Sequence, residues 1–212
     1  MPPTDTVNAT QTSGLLEQLE AIRRRTEALL ARVPDDGAFN RQPDGGGWSV
    51  GQCLDHLNQM NRLYFGAIRG ALSRAERSRA PVTAPLSSSW FGNWFVASME
   101  PGTRKFRAPR KAVPRSSAAR AEVTAEFLRG LDEIEAALKD AAAIDLNRPT
   151  FASPFFRLSR VRAGTGFRVL LAHMRRHLQQ AEHVVNRRQV PGRPTAEAQR
   201  PHRLLALLSA RR

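Results

Sequence analysis

Thr165 to Val185 reads TGFRVLLAHMRRHLQQAEHVV, and this stretch decides the fold. Phe167, Leu170, Leu171, Met174, Leu178, Ala181 and Val185 recur at steps of three and four, the period of one face of an α-helix. Gly166, Leu170, His173, His177, Gln180 and Val184 form a second line along the edge of that stripe. His173 and His177 therefore stand one turn apart on one face, with Cβ atoms about 5–6 Å apart. Pro191-Gly192 ends the helix.

Three further segments share the period. Leu15, Leu16, Leu19, Ile22, Leu29, Leu30 and Val33 mark the first, which Pro34 and Asp35-Asp36-Gly37 stop. The second starts at Ser49, a good N-cap, with Gln52 completing a capping box and Trp48 and Cys53 placed as a hydrophobic staple. Val50, Leu54, Leu57, Tyr64, Ile68, Ala71 and Leu72 are its core face, and it fades near Arg74 to Arg79. The third carries Val123, Phe127, Leu131, Ile134 and Leu138, with Ser116 or Ser117 as cap and Glu122 suited to the positive end of the helix dipole. It stops before Asn147-Arg148-Pro149, and Phe151 to Gly164 reads as a loop.

Four amphipathic helices and no convincing strand predict an all-α fold, a four-helix bundle with a long crossover connection between helices 2 and 3. Residues 1–13 read as a disordered lead, 14–190 as the bundle domain and 191–212 as a basic tail, where Leu204, Leu205, Leu207 and Leu208 suit a short helix. Within the domain, 80–116 is an insertion carrying Pro81, Pro85, Pro101, Pro109 and Pro114. It also carries Trp90-Phe91 and Trp94-Phe95, whose spacing suggests a short amphipathic helix. The expectation is a lid over one end of the bundle with Trp90 and Trp94 at least partly buried, since four clustered aromatics are costly to leave in water. Seated on a second chain, the same segment would make a homodimer.

The bulk composition suits a single globular domain. The 212 residues are 41% hydrophobic and 25% charged. No apolar run approaches the roughly 20 residues of a membrane helix, and the polar N-terminus lacks the apolar core of a secretory signal. Cys53 is the only cysteine, so no internal disulfide forms and a cytoplasmic location is expected. The net charge of +14 would suit a polyanion. However, the arginines are scattered over every segment, so neither nucleic acid nor membrane is favoured as partner.

The chemistry gathers at three histidines. His56 lies three residues after Cys53 and beside Leu57, at the core edge of the second helix. With His173 and His177 it can close a three-nitrogen face on one divalent ion at about 2.0–2.1 Å, leaving the opposite side open. Zinc, nickel or ferrous iron would suit such a set. Alone, the His173/His177 spacing is equally that of two histidines in polar positions. It is not the zinc-protease pattern, because Met174 stands where that motif has glutamate. A bound ion would lower the pKa of water towards 7, or of a thiol below its free value. An activated thiol implies a transferase acting on a small electrophilic molecule, and activated water a hydrolase. Gln180 shares the histidine face and either orients a ligand or is a satisfied edge residue. Cys53 is expected to fill space, Asp55 to be exposed, and His183 and His202 to lie on the surface. No phosphate-binding glycine loop is present.

Gly47-Trp48-Ser49-Val50-Gly51-Gln52-Cys53-Leu54-Asp55-His56-Leu57 resembles the second-helix signature of the DinB superfamily, Trp-Ser followed by His-Leu. His173-Met174-Arg175-Arg176-His177-Leu178-Gln179-Gln180 resembles its fourth-helix H-x-x-x-H-L-x-Q pattern. Phe106-Arg107-Ala108-Pro109 and Pro154-Phe155-Phe156 are similar to segments of one branch, so the likeness runs from about Leu15 to Asn186. It implies a four-helix bundle with a His-triad site for zinc or nickel, here His56, His173 and His177. It also implies a relation to transferases that use a low-molecular-weight thiol. The acidic residue often found after the first fourth-helix histidine is Met174 here. Three functions compete: a metal-dependent thiol transferase or hydrolase, a non-catalytic stress-related bundle that binds metal or ligand, and, least favoured, a basic nucleic-acid binder.

Overall fold

The structure is a computed structural model that describes residues 4–76, 82, 84–102, 108, 110–154 and 160–189. Its elements run α1 (Thr4–Ala31), α2 (Asp36–Asn40), α3 (Val50–Met60), α4 (Gly66–Glu76), α5 (Trp90–Met99), α6 (Arg120–Asp140), β1 (Thr150–Ala152), β2 (Arg160–Arg162) and α7 (Ala163–Gln189). A π turn over Asn61–Phe65 joins α3 to α4, so the two make one long helix. With α1, α6 and α7 it forms an all-α bundle.

Cross-helix contacts fix the directions. Asn58 bonds to Val123, and Arg62 and Arg69 pair with Glu126 and Glu133, so α3–α4 and α6 run parallel. Arg175 bonds to Gln18, Arg25 to Glu182 and Arg32 to Asn186, so α1 and α7 are also parallel. Arg23 meets Asp132 while Arg120 reaches Leu30 O, which makes α1 and α6 antiparallel. The order is up, down, down, up. Two successive helices pointing the same way need a connection as long as the bundle, and residues 77–119 supply it.

Local sequence explains the ends. Ser49 and Gln52 make the capping box as read. The cap of α6 differs from expectation. Neither Ser116 nor Ser117 serves, and the N-cap is Ala119 with no side-chain bond. Asp36 takes the role from a distance, its carboxylate accepting from Arg120 N at 2.6 Å. The stretch read as a loop before α7 contains a small antiparallel hairpin, with Phe151 opposite Val161. Phe151 packs edge-on against Tyr64 at 5.2 Å and leaves no room for a side chain at Gly166, where a Cβ would sit 2.8 Å from its ring.

The lead expected to be disordered is helical from Thr4, and Gln11 is buried. Its amide nitrogen donates to Ala84 O and Asp145 Oδ1, and its oxygen accepts from Leu146 N. A polar residue with three tertiary bonds orders a segment that hydropathy marks as tail.

The aromatic helix α5 exists but buries the other face. It packs along α7 through Gly92, Phe95 and Val96, where a Cβ on Gly92 would come within 3.1 Å of Thr165. Trp90 is 81% exposed, against the expectation that it is at least partly buried, while Trp94 is half-covered at 51%. The helix is apolar all round, so its sequence could not say which side faces the bundle. No helix among the described residues is long and apolar enough to cross a membrane.

These burials predict a contrast. Phe127→Ala empties a fully buried site in α6 and should cost about 3–5 kcal/mol in urea unfolding. Trp90→Ser should change stability by no more than about 0.5 kcal/mol. Similar losses from both would mean that the outer face of α5 is covered.

Candidate metal centre

His56 enters from α3, and His173 and His177 from the antiparallel α7. All three are buried, at 2%, 7% and 8% exposure. Their ligand nitrogens lie within 4.8 Å of one another. His173 Nε2 is 3.3 Å from His56 Nε2 and 3.1 Å from His177 Nε2. Two nitrogens each about 2.05 Å from one ion are about 3.3 Å apart at the tetrahedral angle, so the spacing fits a divalent transition ion.

The protons are arranged to match. His56 Nδ1 lies 2.5 Å from Ala112 O. A carbonyl only accepts, so Nδ1 carries the hydrogen and Nε2 presents its lone pair to the centre. His177 Nδ1 likewise donates to Gln180 Oε1 at 3.1 Å. Such outer bonds fix tautomer and ring orientation in metal sites. His173 Nδ1 is buried and finds no partner among the described residues. Burial, then the neighbouring rings, hold His173 well below the usual histidine range. Burial and the charge of His56 bring His177 down to about 3, against the hydrogen bond to Gln180. Burial also lowers His56, opposed by its bond to Ala112 and the charge of Asp55. His56 and His177 present Nε2 lone pairs to the centre with His173 Nε2 between them, and burial holds all three rings below the usual histidine range, an arrangement that suits a cation.

Trp48 forms a wall. Its ring stacks on His177 with centroids 5.5 Å apart and lies 4.8 Å from His56. The staple reading gave Trp48 a local role with Cys53, whereas its ring serves the histidines. Gln180 orients His177. Met174 is fully buried in the core and Cys53 is too, its thiol pushed up by burial. His183 is exposed, and His202 lies outside the described residues.

Asp55 is a correction. It is buried, not exposed, because the crossing chain covers its face of α3. Arg115 donates to it from its backbone N at 2.8 Å, from Nε at 3.0 Å and from Nη2 at 2.8 Å. Gln59 adds a fourth bond at 2.9 Å. Sequence reasoning missed this pair, and Ala112 with it, because no periodicity links α3 to a loop some 60 positions away.

Residues 18–181 match the sequence profile of the DinB superfamily. The chain belongs to the DinB superfamily. The match covers all three histidines and the π turn. No curated protein and no solved structure matches the chain. Of the two short segments that resemble one branch of the superfamily, Phe106, Arg107, Pro109, Phe155 and Phe156 lie outside the described residues.

The Asp55–Arg115 pair carries a pH signature. Burial raises the Asp55 pKa, but the bonds from Arg115 and Gln59 outweigh it and the net shift is downward. A depressed carboxylate stabilises the fold above its unfolded value of about 3.9, and that contribution is lost as pH falls through the lower folded value. Asp55→Asn should therefore cost about 2–3 kcal/mol at neutral pH. Urea titrations at pH 7 and pH 3 should show the gap between the two proteins closing at the lower pH.

Proposed function

We propose that this DinB-superfamily protein is a divalent-metal-dependent enzyme that transfers a low-molecular-weight thiol to a small electrophilic molecule. The observation that carries the reading is the gathering of three buried histidine nitrogens within 4.8 Å of one another, with no carboxylate among them. His56, His173 and His177 would hold the ion. A bound zinc or nickel ion supplies Lewis acidity, which makes a nucleophile of a thiol or a water at neutral pH.

The residues around the triad favour the thiol over water. Hydrolysis calls for a group that manages the water's protons. Met174 offers none. Asp55, the carboxylate next to a ligand in sequence, faces away and is held by Arg115. A thiol is the stronger acid and needs less help to ionise. Arg176 donates to Ser98 O at 3.2 Å, and its charge is felt at both His173 and His177. That charge favours an anionic thiol or leaving group beside the site. Trp48 covers His56 and His177 on one side and keeps water from that face. Ala112 and Gln180 hold the two outer N–H groups so that His56 and His177 keep the same aim.

Purified protein should carry about one zinc or nickel ion per chain, and His173→Ala or His177→Ala should lose it. Far-UV circular dichroism should remain helical, because four apolar stripes fold the bundle without the ion. The native protein should consume a thiol and 1-chloro-2,4-dinitrobenzene in a reaction that chelation stops. Full metal occupancy in the variants would refute the ligand set. Metal binding with no turnover of any thiol would leave a binding bundle in place of an enzyme.

A further inference from the structure

The chain that crosses behind α3 is fastened to it at three points within four residues. Ala112 O takes the hydrogen of His56 Nδ1 at 2.5 Å. Val113 O accepts from Gln59 Nε2 at 3.1 Å. Arg115 holds Asp55 through its backbone N and through Nε and Nη2. Gln59 Nε2 also donates to Asp55 Oδ2, so one amide joins the second anchor to the third. Only Arg115 brings charge, and it meets a carboxylate side chain that is 3% exposed. Charge-assisted, forked bonds are the strong members of such a set. Arg115 Nη1 goes on to Glu122 in the first turn of α6, which ties the same side chain to the next helix.

The span between the charged anchor and the Ala112 carbonyl is stiff. Pro114 is buried, and its ring fixes its own φ and keeps Val113 out of the helical region. The 3₁₀ turn Arg110–Ala112 ends on Ala112, which is fully buried. A shift of Arg115 therefore carries to the carbonyl with little slack. His56 depends on that carbonyl. A neutral imidazole carries its hydrogen on one of two nitrogens, and the partner at Nδ1 decides which. Released from Ala112, His56 can hold the hydrogen on Nε2 and turn a donor to the centre in place of a lone pair. His177 gets the same service from Gln180, a side chain on its own helix. The partner of His56 is backbone on a crossing segment, so its placement needs an anchor.

We infer that Asp55 and Arg115 are positioning residues for the metal centre. Their ion pair holds residues 110–115 in register, so that Ala112 O keeps the hydrogen of His56 on Nδ1 and leaves Nε2 for the ion. Neither side chain would touch the ion, and both act through His56. The role in metal binding rests on the function proposed above, whereas the hold on His56 does not.

The test compares the full-length protein with its Arg115→Met variant. Zinc affinity is measured by competition with a chromophoric chelator, and the histidine rings are followed by long-range proton–nitrogen NMR of the metal-free protein. Losing the outer partner of a ligand typically costs about 10–100-fold in metal affinity, and a loss in that range is expected. In the metal-free spectra His56 should lose its Nδ1-bound hydrogen while His177, held by Gln180, keeps its own. Arg115→Lys restores the charge but not the forked donors, and should recover part of the affinity. Arg23→Met breaks an ion pair to Asp132 and Glu135 between α1 and α6 and should leave both readings unchanged. Removing Arg115 strands a buried carboxylate, so if that variant does not fold, Asp55→Asn with Arg115→Met takes both charges away and carries the same expectation. Native zinc affinity in the folded variant, or a His56 that keeps its hydrogen on Nδ1, would overturn the inference. A native protein that holds His56 in the Nδ1–H form yet takes up no zinc would instead refute the metal reading and leave the hold on His56 standing.

Discussion

Three imidazole nitrogens held 3.1 and 3.3 Å from one another inside a bundle impose a condition on everything near them. In that poorly solvated space a protonated ring would face two others at contact distance, and desolvation alone disfavours the charge. Neutral rings must then choose which nitrogen keeps its hydrogen. The choice is made outside the triad, by Ala112 O for His56 and Gln180 for His177. The centre therefore depends on the chain that passes behind α3 as much as on the helices that carry the histidines.

That passage follows from topology. Because α3–α4 and α6 run parallel, the chain between them must travel back along the bundle, and on the way it lies over α3. Its 3₁₀ turn at Arg110–Ala112 delivers the carbonyl to His56. Three residues later Arg115 is fastened to Asp55. Adjacent residues of α3 thus grip one segment at two points, one through a neutral bond and one through an ion pair. A bundle with a short hairpin between these helices would have no backbone there, and His56 would lack its outer partner.

The parts of this arrangement legible in the sequence are those with a period or a local motif. The stripes of the four long helices, the capping box at Ser49 and the core-edge placement of His56, His173 and His177 are all short-range patterns. What stayed hidden is long-range. Asp55 reads as exposed because its face of α3 is polar, yet that face is where Arg115 arrives. The cap of α6 comes from Asp36, more than 80 positions earlier, so nearby serines were poor guides. Gln11 looks like tail and is pinned by Leu146 and Asp145. In α5 the apolar residues surround the helix, and only the fit of Gly92 against Thr165 decides that Trp90 points outward.

Cys53 sits fully buried one turn before His56, and it is the chain's sole cysteine. Burial keeps its sulfur protonated and away from solvent. A thiolate is what attacks disulfides and is oxidised to sulfenic acid, so this side chain is closed to both routes. A protein that handles an incoming thiol would thereby avoid trapping it in a mixed disulfide with itself. Oxidative stress that consumes reactive cysteines elsewhere would leave this centre, built from nitrogen donors, without a sulfur to lose.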